Sequence, residues 1–258
     1  MVKGLYTAYT GMINEQNRMD VITNNLANVD TNGYKKEGAT SQAFDTVLAY
    51  KIKDTSYSPN LAKGIGPMNL GVKIGENYTD YSQGPFKVTG NTYDLGLSGT
   101  GFFTIQFESK SGTTSTKYTR DGSFIASMDG YLMTKDGDYV LNTDNARIKV
   151  DPNHPVTIDT RGNVIQNNRT LSTIKITDFE DYNYLEHYGE NFFVPVDGAQ
   201  TKPGNYTINQ GYLETSNVQT VQEMVEMISV SRQYESNQKL ITTIDGTLQI
   251  ASTQLGKV

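Results

Sequence analysis

The sequence contains no cysteine, no tryptophan and only two histidines among its 258 residues. Without cysteine, disulfides, thiolate catalysis and cysteine-ligated zinc are excluded. The two histidines, His154 and His187, lie far apart in sequence, so zinc binding by closely spaced histidines is excluded as well. Because Asp, Asn and Pro surround His154, we interpret it as a solvated turn residue.

Long apolar runs and basic clusters are also scarce. No stretch approaches the roughly 18 consecutive apolar residues that span a bilayer, and the mean hydropathy is −0.51. The first residues lack the apolar segment of a cleaved signal peptide. We therefore expect no membrane insertion, and we expect any export to proceed without a cleaved signal. The net charge of −6 argues against nucleic acid as a partner.

The N-terminal segment has a seven-residue apolar repeat. This repeat predicts a helix with a coiled-coil seam, whose first position is occupied by Leu5, Met12, Met19 and Leu26. Asn24, Asn25 and Asn28 crowd its last turn, where amide side chains compete for backbone hydrogen bonds. We expect the helix to fray near Asn28 and to be followed by a turn in which Gly33 takes a positive φ.

The C-terminal segment predicts a longer helix with the same repeat. It would start after Thr215, Ser216 and Asn217, which are good N-cap residues, and run to Leu255. The seam positions are Met227, Tyr234, Ile241, Leu248 and Leu255, with Ile244 at the second position. About 40 residues make a rod of roughly 60 Å, longer than the first helix can cover. We expect the helices to pair as a coiled-coil-like domain, residues 1–35 and 212–258, with uncovered apolar surface left for another subunit.

The region between the helices changes to a two-residue period with turn signals, which predicts a mainly antiparallel β-domain over residues 83–211. The predicted strands include residues 94–97, 101–107, 131–134, 139–141 and 173–176. Asp-Gly pairs at residues 121, 129 and 136 are typical of hairpin turns. The predicted fold class is therefore α+β.

Residues 36–82 lack a sustained period, and much of this stretch is rich in Ser, Pro, Asn and Gly. They predict an irregular arm or linker, which in a compact protein is usually functional or disordered. If the arm contacts neighbouring subunits, its apolar residues would make those contacts. We expect Leu61, Ile65 and Met68 to take part.

No segment predicts a catalytic, cofactor or metal site. The glycines at residues 99–101 precede a strand rather than a helix, so they cannot form a dinucleotide cradle. Asp129, Asp136 and Asp138 lack the later oxygen ligands of a calcium loop, which favours turn chemistry. The acidic run from Asp178 to Glu190 could hold a carboxylate pair for glycoside chemistry, but we interpret it as a solvated face. We expect no enzyme activity and no cofactor.

Four motifs carry a resemblance to a known family. Residues 24–35 read Asn-Asn-Leu-Ala-Asn-Val-Asp-Thr-Asn-Gly-Tyr-Lys, and residues 118–124 read Tyr-Thr-Arg-Asp-Gly-Ser-Phe. Further motifs occupy residues 89–103 and 211–239. Together they resemble the bacterial flagellar rod and hook proteins from end to end. Asp30 and Tyr34 differ from the commonest family residues, but they keep a turn-forming acceptor and an aromatic ring.

The resemblance implies a structural subunit of the flagellar basal-body rod. Such a subunit polymerises helically into a hollow axle that transmits torque to the hook, beside other rod and hook subunits. The resemblance also implies delivery by the flagellar type III export apparatus and a location outside the inner membrane. The length suits a single-β-domain rod protein, of proximal or distal type, better than a hook protein. A secreted carbohydrate-binding β-module and a carbohydrate-active enzyme are the alternatives, and neither explains the terminal seams.

Overall fold

The computed structural model describes residues 2–51, 63–108, 112–189 and 191–255. Over these residues the chain forms two α-helices, one short 3-10 helix and twenty strands, and all strand pairs are antiparallel. The α+β class predicted from the sequence is therefore confirmed. The chain divides into two compact units, which we call the helical unit and the β unit.

The helical unit comprises Met1–Leu26, Glu37–Thr79 and Thr220–Val258. Its helices are α1, Val2–Ala27, and α2, Thr220–Leu255. Its strands are β1 (Glu37–Ala43), β2 (Val47–Lys51), β3 (Lys63–Met68) and β4 (Val72–Thr79). Strand β1 pairs with β4, and β2 pairs with β3.

These four strands correct the expectation of an irregular arm. The pattern is weak in sequence because most residues of β1 and β4 are exposed, so neither strand needs alternating apolar residues. A register shift between Ala39 and Ser41 breaks the period further. Met68 is half-buried, whereas Leu61 and the side chain of Ile65 lie outside the described residues.

The observed helix ends agree with the prediction for α1 but not for α2. Helix α1 ends at Ala27, one residue before Asn28, close to the predicted position. Helix α2 starts at Thr220, so the predicted N-cap at residues 215–217 is wrong. The Asn217 side chain is occupied elsewhere, because it accepts from Lys36 N at 2.7 Å and donates to Asp80 O at 2.8 Å.

The β unit comprises Ala27–Lys36 and Asp80–Gln219. Its first strands are β5 (Phe86–Val88), β6 (Leu95–Gly99), β7 (Phe102–Glu108), β8 (Thr114–Thr119), β9 (Phe124–Ala126), β10 (Leu132–Thr134), β11 (Tyr139–Val140) and β12 (Val156–Ile158). The remaining strands are β13 (Asn163–Gln166), β14 (Arg169–Thr173), β15 (Ile176–Phe179), β16 (Leu185–Tyr188), β17 (Phe192–Pro195), β18 (Thr201–Lys202), β19 (Tyr206–Gln210) and β20 (Tyr212–Glu214). The largest sheet runs β16-β17-β8-β7-β11-β10-β9, with β15 and β18 joined through β7.

Two predictions inside the β unit need correction. The predicted strand at residues 173–176 is not continuous, because Thr173 ends β14, Ile176 begins β15, and only residues 174–175 lie between them. The pair Asp121-Gly122 joins β8 to β9, which do not pair with each other, so it is not a hairpin turn. Gly122 serves close packing there, because a Cβ on it would overlap the carbonyl oxygen of Leu95. The turns at Gly130 and Gly137 do connect paired strands, as predicted.

The buried apolar residues are distributed unequally. Of the 25 fully buried apolar residues in the described part of the chain, only Ala8, Ile22 and Val230 belong to the helical unit. The β unit has a core that includes Leu95, Leu97, Phe103, Val140, Val164, Ile174 and Ile208, and a second cluster of Phe102, Phe179, Leu185 and Phe193. Each such side chain contributes about 1.5–3 kcal/mol. The β unit therefore has its own core, whereas the helical unit buries little.

Candidate functional site

Segments close to both helices meet inside the β unit, and we call this meeting point the junction. It consists of Gly33, Lys35, Arg120 and Glu214. Gly33 donates its backbone N–H to the carbonyl oxygen of Glu214 at 2.8 Å. Its φ is +70°, and a Cβ on it would overlap the backbone nitrogen of Asp121. The predicted positive φ is confirmed, and only glycine fits this position without strain.

The carboxylate of Glu214 lies between two cations at the junction. Lys35 Nζ is 2.6 Å from Oε1 and Arg120 is 3.3 Å from Oε2, and the exposed fractions of the three side chains are at most 5%. Burial lowers the pKa of Lys35, although the charge of Glu214 opposes this shift. Because buried charges are costly unless paired, Glu214 compensates for both cations at once.

Further hydrogen bonds tie the junction to the sheet edges. Lys35 Nζ also donates to the carbonyl oxygen of Ser82 at 2.7 Å, and Gly84 N donates to Glu214 Oε1 at 3.0 Å. Arg120 donates to the carbonyl oxygen of Gly99 at 2.8 Å. These bonds satisfy most of the polar groups that burial removes from water, with Arg120 Nε as an exception.

The junction gathers three of the motifs seen in the sequence, at residues 24–35, 118–124 and 211–218. Sequence reasoning singled out Gly33 there but missed Lys35, Arg120 and Glu214 as a set. The available signal was that each charged residue is embedded in a motif rich in apolar and turn residues. Which charge pairs with which depends on the tertiary fold, so the pairing itself could not be predicted.

Asn25 forms a second polar connection, within the helical unit. Its Oδ1 accepts from Glu37 N at 2.9 Å, and its Nδ2 donates to the carbonyl oxygen of Glu37 at 2.8 Å and to Glu223 Oε2 at 3.3 Å. The other predicted asparagines differ, because Asn24 is exposed and Asn28 accepts from Thr31 Oγ1 at 3.2 Å. Asn25 therefore connects α1 to β1 and α2.

The two helices of the helical unit contact each other at intervals of seven residues along α1. A Cβ on Gly4 would lie 4.0 Å from Ile244 Cδ1, and one on Gly11 would lie 3.1 Å from Asn237 Nδ2. Arg18 forms an ion pair with Glu226 at 3.1 Å. With the bond from Asn25 to Glu223, these contacts run in opposite directions along the two helices.

The predicted seam residues are only partly covered. The following are half-buried: Leu5, Met12, Met19, Leu26, Met227, Tyr234, Ile241 and Ile244. Leu248 is 38% exposed, and the side chain of Leu255 lies outside the described residues. The seams therefore retain accessible apolar surface.

A second apolar face on each helix was missed in the sequence. On α2 it consists of Val221, Met224, Val225 and Ile228, all exposed. At 100° per residue this face lies opposite the seam face that contains Val230 and Ile241. On α1, Tyr6, Tyr9 and Ile13 are exposed in the same way. These residues are spaced at i, i+3 and i+7, so the signal for a second apolar stripe was present in the sequence.

The structure also locates the acidic residues that were considered as candidates for a chemical role. The expectation of a solvated acidic face is wrong for Asp178, which is fully buried and accepts a hydrogen bond from the Tyr182 hydroxyl at 2.7 Å. Glu180, Asp181 and Glu186 are exposed, as expected. Burial favours the neutral form of Asp178. The hydrogen bond from Tyr182 and further hydrogen bonds outweigh this effect and lower the pKa of Asp178. Within the described ranges, no three His, Asp or Glu side chains converge as a metal site would require. No helix in those ranges combines the length and apolar character that crossing a membrane would require.

Comparison with known proteins places three family matches along the chain. Residues 5–35 match "Flagella basal body rod protein", residues 96–166 match "Flagellar hook protein FlgE/F/G D1 domain", and residues 209–254 match "Flagellar basal body rod FlgEFG protein C-terminal". The first and last matches contain Gly33, Lys35 and Glu214, and the middle one contains Arg120. The junction residues thus all fall within matched segments.

Individual relatives match over nearly the whole chain. The chain is 34% identical to the flagellar basal-body rod protein FlgG of Agrobacterium fabrum, covering 98% of this chain and 100% of that protein. It is 33% identical to FlgG of Bacillus subtilis, covering 96% and 97%. It is 30% identical to the flagellar basal-body rod protein FlgF of Caulobacter vibrioides, covering 100% of both. The chain belongs to the bacterial flagellar basal-body rod and hook protein family.

Proposed function

We propose that this chain is a structural subunit of the flagellar basal-body rod. It polymerises helically into a hollow axle that transmits torque to the hook, and it acts by assembly rather than by catalysis. Family membership supports this function. The observation that carries it is that α2 presents apolar residues on two opposite faces, while the described part of the helical unit fully buries only three apolar residues.

The exposed face of α2 is the first assembly surface. Val221, Val225 and Ile228 have exposed fractions of 77%, 63% and 53%. Fully burying such a side chain contributes about 1.5–3 kcal/mol, so covering this face with a second copy is strongly favourable. Contacts between different faces of identical copies generate helical filaments when the rotation between copies does not close into a ring.

The exposed face of α1 is the second assembly surface. It borders a groove of about 350 Å³ whose lining includes Tyr6, Ile13, Phe44, Val72 and Ile74. Exposed aromatic and aliphatic side chains in a concave surface favour a partner with an apolar ridge. Within one copy, contacts at every seventh residue of α1, which meet α2 in the opposite chain direction, support antiparallel pairing of the two helices.

The remaining parts of the proposal follow from the family. The partners are further copies of the chain, other rod and hook subunits and the flagellar type III export apparatus. The location is the basal body, outside the inner membrane, reached without a cleaved signal. The helical unit forms the axial domain, the β unit forms the outer β-domain, and Leu61, Ile65 and Met68 provide contacts to neighbouring copies.

Assembly can be tested with a charge on the exposed face of α2. Ile228→Asp should abolish pelleting of polymer in ultracentrifugation and filaments in electron microscopy, because a carboxylate would be buried without a partner. Gln238→Asp adds the same charge at another exposed position of α2 and should assemble like the unmodified chain. Circular dichroism should show both variants folded as monomers.

Two outcomes would contradict the proposal. One is normal polymer from Ile228→Asp, which would remove α2 from the assembly surface. The other is that the unmodified chain forms no polymer, alone or with rod subunits, and binds polysaccharide tightly. That result would favour the carbohydrate-binding alternative.

A further inference from the structure

Asn32 and Gly33 form the only Asn-Gly pair in the sequence. Asparagine is most prone to deamidation in this dipeptide, because glycine has no side chain to hinder attack on the preceding amide. In the reaction the backbone nitrogen of Gly33 loses its proton and bonds to Cγ of Asn32, and ammonia leaves. Water then opens the resulting succinimide ring. The product is aspartate or, when the main chain becomes routed through the side-chain carboxyl carbon, isoaspartate.

The folded β unit blocks this reaction at its nucleophile. Gly33 is buried, and its N–H donates to the carbonyl oxygen of Glu214 at 2.8 Å. A buried N–H that is held by an acceptor gives up its proton only when the local structure opens. The backbone of Arg120 and Asp121 leaves no space even for a Cβ on Gly33. The turn therefore has no room to rearrange into the ring while the junction is closed.

The side chain of Asn32 is not restrained in the same way. It is half-buried, it lines a cleft of the β unit, and it makes no hydrogen bond in the part of the chain that the structure describes. The amide can therefore approach the backbone nitrogen of Gly33 as soon as this nitrogen is released. Protection of the pair thus depends on the hydrogen bond between Gly33 and Glu214, which forms only when distant segments of the chain have met.

Isoaspartate is the damaging product. It inserts one extra carbon into the main chain directly before Gly33, in a turn where Gly33 already fits without spare space. The longer main chain displaces the Gly33 N–H from Glu214. It also displaces Lys35, whose Nζ must lie 2.6 Å from the Glu214 carboxylate to compensate for its buried charge. A chain with isoaspartate at position 32 therefore cannot rebuild the junction.

We propose that Asn32 is a modification site that folding closes. It deamidates while the chain is unfolded, and it is protected once Gly33 bonds to Glu214. Isoaspartate formed before folding prevents the junction from closing, so the junction excludes chemically aged chains from the folded population. This inference does not depend on the proposed function, because both states belong to a single copy.

Peptide mapping by mass spectrometry tests the protection. The full chain is incubated at mildly alkaline pH, folded and in urea, and the deamidated fraction at Asn32 is followed over time. We expect deamidation in the folded chain to be slower by about tenfold or more, since attack must wait for local opening. Equal rates in the two states would overturn the proposal.

Asp197-Gly198 provides a control within the same chain, because Asp-Gly pairs form the same ring with loss of water. Gly198 is exposed, and its N–H makes no backbone hydrogen bond among the described residues. Folding should therefore slow isomerisation at Asp197 much less than deamidation at Asn32. Equal protection of the two pairs would show that the junction has no specific effect, which contradicts the proposal.

Two variants separate the junction from general stability. Lys35→Met weakens the junction beside Glu214, whereas Val164→Ala opens a cavity in the core of the β unit. Under conditions where both variants are folded, Lys35→Met should speed deamidation of Asn32 about threefold or more, because it favours local opening at Gly33. Val164→Ala should leave the rate near that of the unmodified chain. Equal acceleration in the two variants would overturn the role of the junction.

Refolding tests the consequence of the modification. The chain is aged in urea and diluted into buffer, and the compact monomer is separated from unfolded chains by gel filtration. Isoaspartate at position 32 should be depleted from the compact fraction, whereas isoaspartate at position 197 should occur equally in both fractions. Asn32→Gln, whose longer side chain closes the ring slowly, should refold after ageing as completely as before. Undiminished isoaspartate at position 32 in the compact fraction would overturn the exclusion of aged chains.

Discussion

Lys35 and Glu214 are 179 positions apart in sequence, yet Nζ of one lies 2.6 Å from Oε1 of the other in the interior of the β unit. Lys35 follows α1 by eight residues and Glu214 precedes α2 by six. A single buried contact thus holds together, inside the β unit, two segments from opposite ends of the sequence.

Removing the charge of Glu214 should destabilise the β unit severely. Glu214→Gln leaves Lys35 and Arg120 buried without a carboxylate, which should cost about 3–5 kcal/mol. Lys35→Met keeps the apolar stem and leaves Glu214 paired with Arg120, so it should cost only about 1–3 kcal/mol. Urea unfolding followed by circular dichroism measures both. Equal losses in the two variants would show that Glu214 does not compensate for two cations.

A side chain at Gly33 should be costly for two separable reasons. Gly33→Ala must adopt φ near +70° and push Cβ into the backbone of Asp121, so we expect a loss above about 3 kcal/mol. Gly90 has φ +72° and no atom within 4 Å of such a Cβ. Gly90→Ala should therefore show the backbone term alone, about 1 kcal/mol. Similar unfolding free energies for the two variants would rule out the steric contribution.

Replacement of Asn25 should destabilise the helical unit, whereas replacement of the neighbouring Asn24 should be tolerated. Asn25→Asp loses both hydrogen bonds donated by Nδ2 and brings a carboxylate next to Glu223, at a cost of about 2–4 kcal/mol. Asn24→Asp introduces the same change at an exposed position and should stay within about 0.5 kcal/mol. Thermal unfolding of the helical signal compares them, and a harmless Asn25→Asp would argue against the connection between α1, β1 and α2.

Alkaline pH should weaken the fold through Tyr182. Burial and the hydrogen bond to Asp178 raise the pKa of Tyr182 to about 12, whereas a tyrosine in the unfolded chain has a pKa of about 10. Between these values the unfolded chain releases a proton that the folded chain keeps. Stability is therefore fully present below pH 10 and is lost as the pH rises towards 12. Tyr182→Phe should fall less steeply over this range in urea titrations, and an unchanged slope would contradict the assignment.

Local patterns predicted the fold class well and the polar sites poorly. The seven-residue repeat was enough to place α1 and α2, because an amphipathic helix repeats its signal over many turns. It was not enough to start α2 correctly, because Asn217 bonds to Lys36 and Asp80 rather than to the helix. Strands β1 and β4 were not predicted, because exposed strands need no alternation of apolar and polar residues. The junction was not predicted, because segments distant in sequence supply the partners of its buried charges.

The unequal distribution of buried apolar residues gives the chain two different responses to dilution. The β unit carries its own core, so its melting temperature should not depend on protein concentration. Among its described residues, the helical unit fully buries only the apolar side chains of Ala8, Ile22 and Val230 and leaves the others half-buried or exposed, so further copies of the chain act as its stabilising ligand. Its melting temperature should rise with concentration by mass action. The rod would then be a material whose β units stay folded when it is taken apart, while its helical units loosen as their neighbours leave.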